Sequence, residues 1–333
     1  MKVWVSREPG GPESLVLEDW PVPAPAEGEL LIRIRAVGVN FPDSLLIRDL
    51  YQVKPPRPLV PGSEFCGVVE QVGDGVTQFA RGDVVIGRCG WGAMSEYLTL
   101  PQDRCVKIPD GLPMAEAAAF QFAYATAYHA LHDAGRLRAN ETLVVLGAAG
   151  GVGAAAVEVG RALGARVIAA ASSSAKVEFA RARGAHDGAI YDADLQAGEG
   201  QKAFAIELKR ILPNGADVVF DPVGGAYSEP VLRSLGRGGR LLVVGFTAGI
   251  PRVPLNLALL KRAHIIGVDW RMFIKEEPAA NASNLRTLLK MWQEGLLSPQ
   301  VTERFALAAA PDAIARLESR TALGKIVVTL DDA

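Results

Sequence analysis

The stretch "ETLVVLGAAGGVGAAAVEVGRALGARVIAAASSSAK", residues 141–176, constrains the fold more than any other. An apolar run, Leu143–Leu146, enters a turn of small residues, an Ala-rich helix follows, and a second apolar run comes next. That order is a strand–helix–strand crossover, the unit of a parallel sheet. Small side chains at Ala148, Gly150 and Gly153 keep the turn tight, let the backbone approach a pyrophosphate and let the helix pack close to the strand. Gly151 and Val152 complete the turn. The helix start then offers unpaired N–H groups and a positive dipole end to phosphates. The spacing therefore predicts a dinucleotide site.

The end of the second strand bears on which dinucleotide. An acid there usually holds the ribose hydroxyls of NAD. Here the chain has Ala170, Ala171 and Ser172 instead. Ser172 and Ser173 can hydrogen-bond, and Lys176 adds a positive charge. A carboxylate about 4 Å from a 2′-phosphate would cost about 4 kcal/mol at an effective dielectric near ~20. Its absence, with Lys176 close by, favours NADPH; the competing reading makes Lys176 a solvated helix residue.

From about residue 115 onward the rhythm is strand, helix, strand, with "GAIYD", "ADVVFDPVGG", "GRLLVVGF" and "AHIIGVDW" as further apolar runs. This predicts a doubly wound parallel sheet. The first 120 residues are β-rich and broken by Gly and Pro. "VTERFAL" and "GKIVVTL" near the C-terminus read as strands that return to this first domain. The 35 basic and 37 acidic residues nearly cancel, which argues against a nucleic-acid surface or a polybasic membrane face. "MKVWVSREPG" lacks the apolar core of a secretory signal, and no apolar run reaches the length of a membrane span. Cys66, Cys89 and Cys105 are sparse and odd in number, which suits a reduced cytoplasmic compartment.

A second candidate region is "VGVNFPDSLLIRDLY", residues 37–51. Asn40, Asp43 and Tyr51 follow an apolar strand, where binding residues gather. The same "NFPD" is also good turn or cap chemistry.

In combination, "GVNFPDSLLIRDLY", "PGSEFCGVVEQVGDGV", "AAGGVG", "DPVGG", "GGRLLVVGF" and "ESRTALGKIVV" resemble the zinc-independent quinone oxidoreductases of the medium-chain dehydrogenase/reductase superfamily, over nearly the whole chain. The resemblance implies an α/β protein. A GroES-like β-rich catalytic domain would span 1–122 and 271–333, and a Rossmann NADPH-binding domain 123–270. It also implies a cleft between the domains and a homodimer joined through the Rossmann sheet edge. By motif match it puts Asn40, Asp43 and Tyr51 beside the nicotinamide. A further aromatic of that pocket would fall at Leu45, a departure that leaves the substrate range open. Thr126 and Phe246 match positions near the nicotinamide. Tyr191 and Arg320 match positions on the 2′-phosphate side, although Arg320 also suits a surface ion pair.

Metal-dependent relatives hold a catalytic zinc with Cys and His. The two matching places here carry Asn40 and Ser63, and Glu64 alone does not make a zinc site. His129 and His132 stand i, i+3 on a helix and read as ordinary helix residues. Without a Lewis acid, a plain ketone is a poor substrate, whereas a quinone or enone is already activated by conjugation. The expected chemistry is hydride transfer from NADPH to such an acceptor. Asn40 and Tyr51 would donate hydrogen bonds to its oxygen, and Asp43 would orient them. An enoyl-thioester or alkenal reductase, and an NADPH-binding structural or regulatory protein with little turnover, remain as alternatives. The expected partners are a small-molecule quinone or enone and a second copy of the chain, not nucleic acid or membrane.

Overall fold

The structure, a computed structural model, describes residues 1–196 and 198–330. It comprises two compact units, Met1–Phe122 with the chain from Pro299 onward, and Ala123–Ser298.

The first unit begins with an antiparallel ribbon, β1 (Lys2–Val5) and β2 (Val16–Asp19). There follow β3 (Glu29–Gly38), α1 (Phe41–Ile47), β4 (Glu64–Val72), β5 (Val84–Arg88), β6 (Tyr97–Pro101), β7 (Cys105–Lys107) and α2 (Met114–Ala118). Strand β3 is central, pairing with β4 and β6, which is why its apolar residues are buried while Arg33 and Arg35 point outward. Leu30, Ile32, Ile34, Val37, Phe65 and Val85 form the middle of this core.

The second unit opens with α3 (Gln121–Tyr128), which spans the boundary and runs into a π-helical segment, His129–Ala134. Then come β8 (Thr142–Leu146), α4 (Gly151–Ala162), β9 (Arg166–Ala171), α5 (Ser174–Arg181), β10 (Asp187–Ile190), α6 (Glu199–Ile211) and β11 (Ala216–Asp221). The unit continues with α7 (Ser228–Ser234), β12 (Leu235–Val243), α8 (Asn256–Lys261), β13 (His264–Gly267), α9 (Trp270–Glu276) and α10 (Pro278–Gln293). Its six strands are all parallel, in the order β10-β9-β8-β11-β12-β13. Counted along this unit, that is the doubly wound 3-2-1-4-5-6 order, and the strand order reverses between β8 and β11.

The chain returns to the first unit with β14 (Val301–Ala306), α11 (Ala310–Glu318) and β15 (Lys325–Thr329). The return falls at residue 299, not at the expected 271. The physical reason is that α9 and α10 pack within the second unit. His129 stacks on Phe273, with ring centroids 4.0 Å apart, and Asn284 Nδ2 donates to Asp133 Oδ2 at 2.7 Å. The two returning strands do pair in parallel with each other, across the α11 connection. Strand β15 then adds antiparallel to β3, with Val327 opposite Gly38. No helix among the described residues is long and apolar enough to cross a membrane. The three cysteines are unpaired thiols.

Candidate active site

In the second unit the strand–turn–helix element stands at the point where the sheet order reverses. Gly147, immediately after β8, has φ +60°, which a side chain adopts at a cost, so the corner of the turn is at Gly147. Ala148 and Ala149 are buried, and Gly150 begins α4 in extended conformation. Gly153 is required by packing: a Cβ there would lie 2.1 Å from the Gly147 carbonyl oxygen. Helix α4 therefore sits against its own turn, and its first N–H groups have no partner within the helix; Gly151 and Val152 are partly exposed.

At the neighbouring end of β9, Lys176 Nζ donates to Ser172 Oγ at 3.0 Å. Ser173 caps α5, its Oγ accepting from the Lys176 N–H at 3.3 Å. Burial lowers the Lys176 pKa below the ordinary lysine value. Together these residues form a small cationic, hydrogen-bonding corner, which suits a phosphate. Tyr191 follows β10 and is buried, packed edge-on against Phe204 and Tyr227. Burial raises the pKa of its phenol and the nearby Gly147 N–H opposes the rise, so the phenol stands beside the turn. Across the reversal point, Asp221 shapes the "DPVGG" loop by accepting from Val223 N at 2.9 Å and Gly224 N at 2.8 Å. Thr126 is buried on α3, and Phe246 is exposed in the loop after β12.

In the first unit, Asn40 and Asp43 cap α1. Asp43 Oδ2 accepts from the Asn40 backbone N–H at 2.7 Å, and the Asp43 N–H returns to the Asn40 carbonyl at 3.0 Å. The side chain of Asn40 turns inward. Its Nδ2 donates to Glu64 Oε1 at 2.8 Å and lies 3.2 Å from the Gly38 carbonyl and 3.4 Å from Ser63 Oγ. Its Oδ1 accepts from Lys325 Nζ at 2.6 Å. Both amide protons of Asn40 thus have acceptors inside this unit, so its expected donation to a substrate oxygen competes with bonds already made. Of the three candidates only Tyr51 is partly exposed; Asn40 and Asp43 are buried. Desolvation raises the Asp43 pKa from 3.8 to about 7, Glu64 adds to the rise, and Lys325 opposes it. Asp43 Oδ1 is buried without a hydrogen-bond partner.

Lys325 is absent from the residues singled out in the sequence. Its Nζ bonds the Val39 carbonyl at 3.1 Å, Asn40 Oδ1 and Glu64 Oε1 at 2.9 Å. A lysine opening the apolar run "KIVVT" was the available signal. These residues do not fit a zinc ion. The two expected positions are Asn40 and Ser63, and the carboxylate beside them is already paired with an ammonium group. Among the described residues no three His, Cys, Asp or Glu side chains converge to hold a metal. Cys89 lies close by, but burial and then Asp43 push its thiol up to about 12, which leaves it a poor nucleophile. His129 and His132 both turn to Asp133, at 2.9 and 2.7 Å. Arg320 follows α11 in the first unit, exposed, at φ 56°.

Residues 26–110 match the alcohol dehydrogenase GroES-like domain, and residues 151–285 match the zinc-binding dehydrogenase model. Quinone oxidoreductase-like protein 2 of Rattus norvegicus is 35% identical over 91% of this chain and 85% of its own. The quinone oxidoreductase of Thermus thermophilus, solved also as a complex with NADPH, is 34% identical, with a TM-score of 0.83 over 99% of this chain and 100% of that one. The enoyl reductase of CurK is 25% identical, with a TM-score of 0.87 over 99% of both chains. The chain belongs to the quinone oxidoreductase family of the medium-chain dehydrogenase/reductase superfamily.

Proposed function

We propose that the protein is an NADPH-dependent reductase that delivers hydride to quinones or other conjugated, electron-poor acceptors without a metal. The observation that carries this reading is the donor set of the first unit. Hydrogen-bonding groups stand where a Lewis acid would be held, and the carboxylate next to them is paired with Lys325. NADPH supplies the hydride. Lys176 and Ser172 bind its 2′-phosphate, and the Gly147–Gly153 turn with the start of α4 binds its pyrophosphate. The likeness to a quinone oxidoreductase solved with NADPH supports this cofactor. Arg320, Thr126, Tyr191 and Phe246 are proposed to serve the same cofactor, with Tyr191 acting through the turn beside it.

Tyr51 is assigned the hydrogen bond to the acceptor oxygen, where negative charge develops. Asn40 and Asp43 fix the segment that carries it. Tyr51→Phe is expected to lower kcat for a quinone about tenfold, and by more for a less activated enone, with NADPH affinity unchanged. Steady-state rates across acceptors of falling reduction potential test this; an equal loss for every acceptor removes the assignment.

NADPH is expected to bind at least about tenfold more tightly than NADH, about 1.4 kcal/mol. Lys176→Ala should weaken NADPH and leave NADH nearly unchanged. Titration of nucleotide fluorescence checks both, and equal affinities in the wild type refute the 2′-phosphate assignment.

The likeness to an enoyl reductase supports a second reading, reduction of an enoyl thioester or alkenal on the same scaffold. A homodimer is proposed through β13. This edge strand exposes Ile265, and Leu255, Leu259 and Leu260 around α8 are exposed beside it in sequence. A monomer mass by light scattering at micromolar concentration would reject it.

A further inference from the structure

We propose that Lys325 and Glu64 form a clamp that fixes the orientation of the Asn40 carboxamide, making both of them positioning residues for the site at α1. The inference rests on the function proposed above.

The strand register builds the clamp. Val327 lies opposite Gly38 in the β15–β3 pair, and continuing that register brings Lys325 opposite Asn40. Glu64 lies opposite Gly38 in the β3–β4 pair. Three neighbouring strands therefore deliver an ammonium, a carboxamide and a carboxylate to one buried point, each residue less than a tenth exposed. An ammonium only donates, and a carboxylate only accepts. Lys325 faces the Asn40 oxygen and Glu64 faces the Asn40 nitrogen. Turning the amide over would set NH₂ against an ammonium and oxygen against a carboxylate, so one orientation is enforced.

The three contacts of Lys325 match its three protons. Glu64 Oε2 takes the Phe122 N–H at 2.8 Å, which anchors the carboxylate in turn. The held amide lies at the N-cap of α1, where its own backbone N–H is bound by Asp43. The clamp thus sets the start of the segment that leads to Tyr51. A buried ion pair is weak support for stability alone, since apolar residues of similar volume often serve as well. A fixed amide is something apolar residues cannot supply.

The test compares Lys325→Met, Glu64→Gln and the double variant. Each single change leaves a buried charge without its counter-charge and should lower the melting temperature. The double variant should recover most of that loss. If the clamp positions the site, the refolded double variant still shows kcat for quinone reduction at least about tenfold lower, with NADPH affinity retained. A double variant with wild-type kcat overturns the proposal. A second measurement needs neither turnover nor a folded variant. The Asn40 side-chain amide protons of the wild type, observed with selective Asn labelling, should exchange slowly with solvent and give two separate signals. Fast exchange in the wild type overturns the clamp. Slow exchange in a protein that turns over no acceptor keeps the clamp and rejects the reductase reading instead.

Discussion

Gly153→Val is expected to abolish cofactor binding and to destabilise the second unit, whereas Gly150→Ala is expected to impair binding alone. The two glycines lie in one turn but meet different surroundings. A Cβ at Gly153 would lie 2.1 Å from the Gly147 carbonyl oxygen, and that atom is backbone and cannot rotate away. Either α4 moves off the turn or the turn opens. Overpacking of this kind costs roughly 1–3 kcal/mol. Displacing the helix start also withdraws the N–H groups meant for the pyrophosphate, so an affinity loss of at least about a hundredfold is expected, about 2.7 kcal/mol. At Gly150 a Cβ would stand 3.4 Å from the same oxygen, an ordinary contact, and the backbone there is extended. The fold should tolerate alanine. The added methyl group would face outward, where the backbone must come close to the phosphates. Thermal unfolding paired with NADPH titration separates the two effects. Unchanged affinity in Gly150→Ala would move the phosphates away from this turn.

Asp43→Asn is expected to make the protein more stable above neutral pH, by an amount that shrinks as the solution is acidified. In the folded chain desolvation raises the Asp43 pKa from 3.8 to about 7, with Glu64 adding and Lys325 opposing. A raised value means that the carboxyl contributes its full stability below about pH 4, where both states are protonated. That contribution is lost as pH rises toward and through about 7. The difference corresponds to about 4 kcal/mol, at about 1.4 kcal/mol for each pH unit between the two values. Asparagine does not titrate, and its oxygen can still accept the Asn40 N–H. Unfolding by denaturant at several pH values, read as variant minus wild type, cancels the other ionising groups. The gap should widen between about pH 4 and pH 8. A flat difference across that range would mean that Asp43 stays ionised throughout, held by the Asn40 N–H and Lys325.

The second unit was largely legible in the sequence because its signals are local. The run from Leu143 to Lys176 carries strand, turn, helix and strand within one window, and each adopts that form. Gly147 as the left-handed corner was not singled out, because neighbouring small residues look alike until φ is known. Local pattern places the return of the chain at residue 271, whereas the compact units divide at 299. The amphipathic pattern of α10 says that one face is buried but not against which unit, and the contact of Asn284 with Asp133 spans 151 residues. The "NFPD" stretch gave the cap correctly in kind, yet the side-chain partners of Asn40 lie 24 and 285 residues away, at Glu64 and Lys325. Such contacts are set by strand register, which no local pattern encodes. Tyr191 shows the same limit: a motif match suggests a phosphate ligand, but its packing against Phe204 and Tyr227 is set by contacts that no local pattern encodes.

The most direct test of the proposed activity is steady-state oxidation of NADPH by the purified protein against a panel of quinones, enals and enoyl thioesters, with and without prolonged chelation. Quinones are expected to be reduced fastest, at rates that chelation leaves unchanged, and NADH is expected to be a poorer donor. Tight NADPH binding with no oxidation by any quinone, or activity that returns only when zinc is added back, would contradict the account.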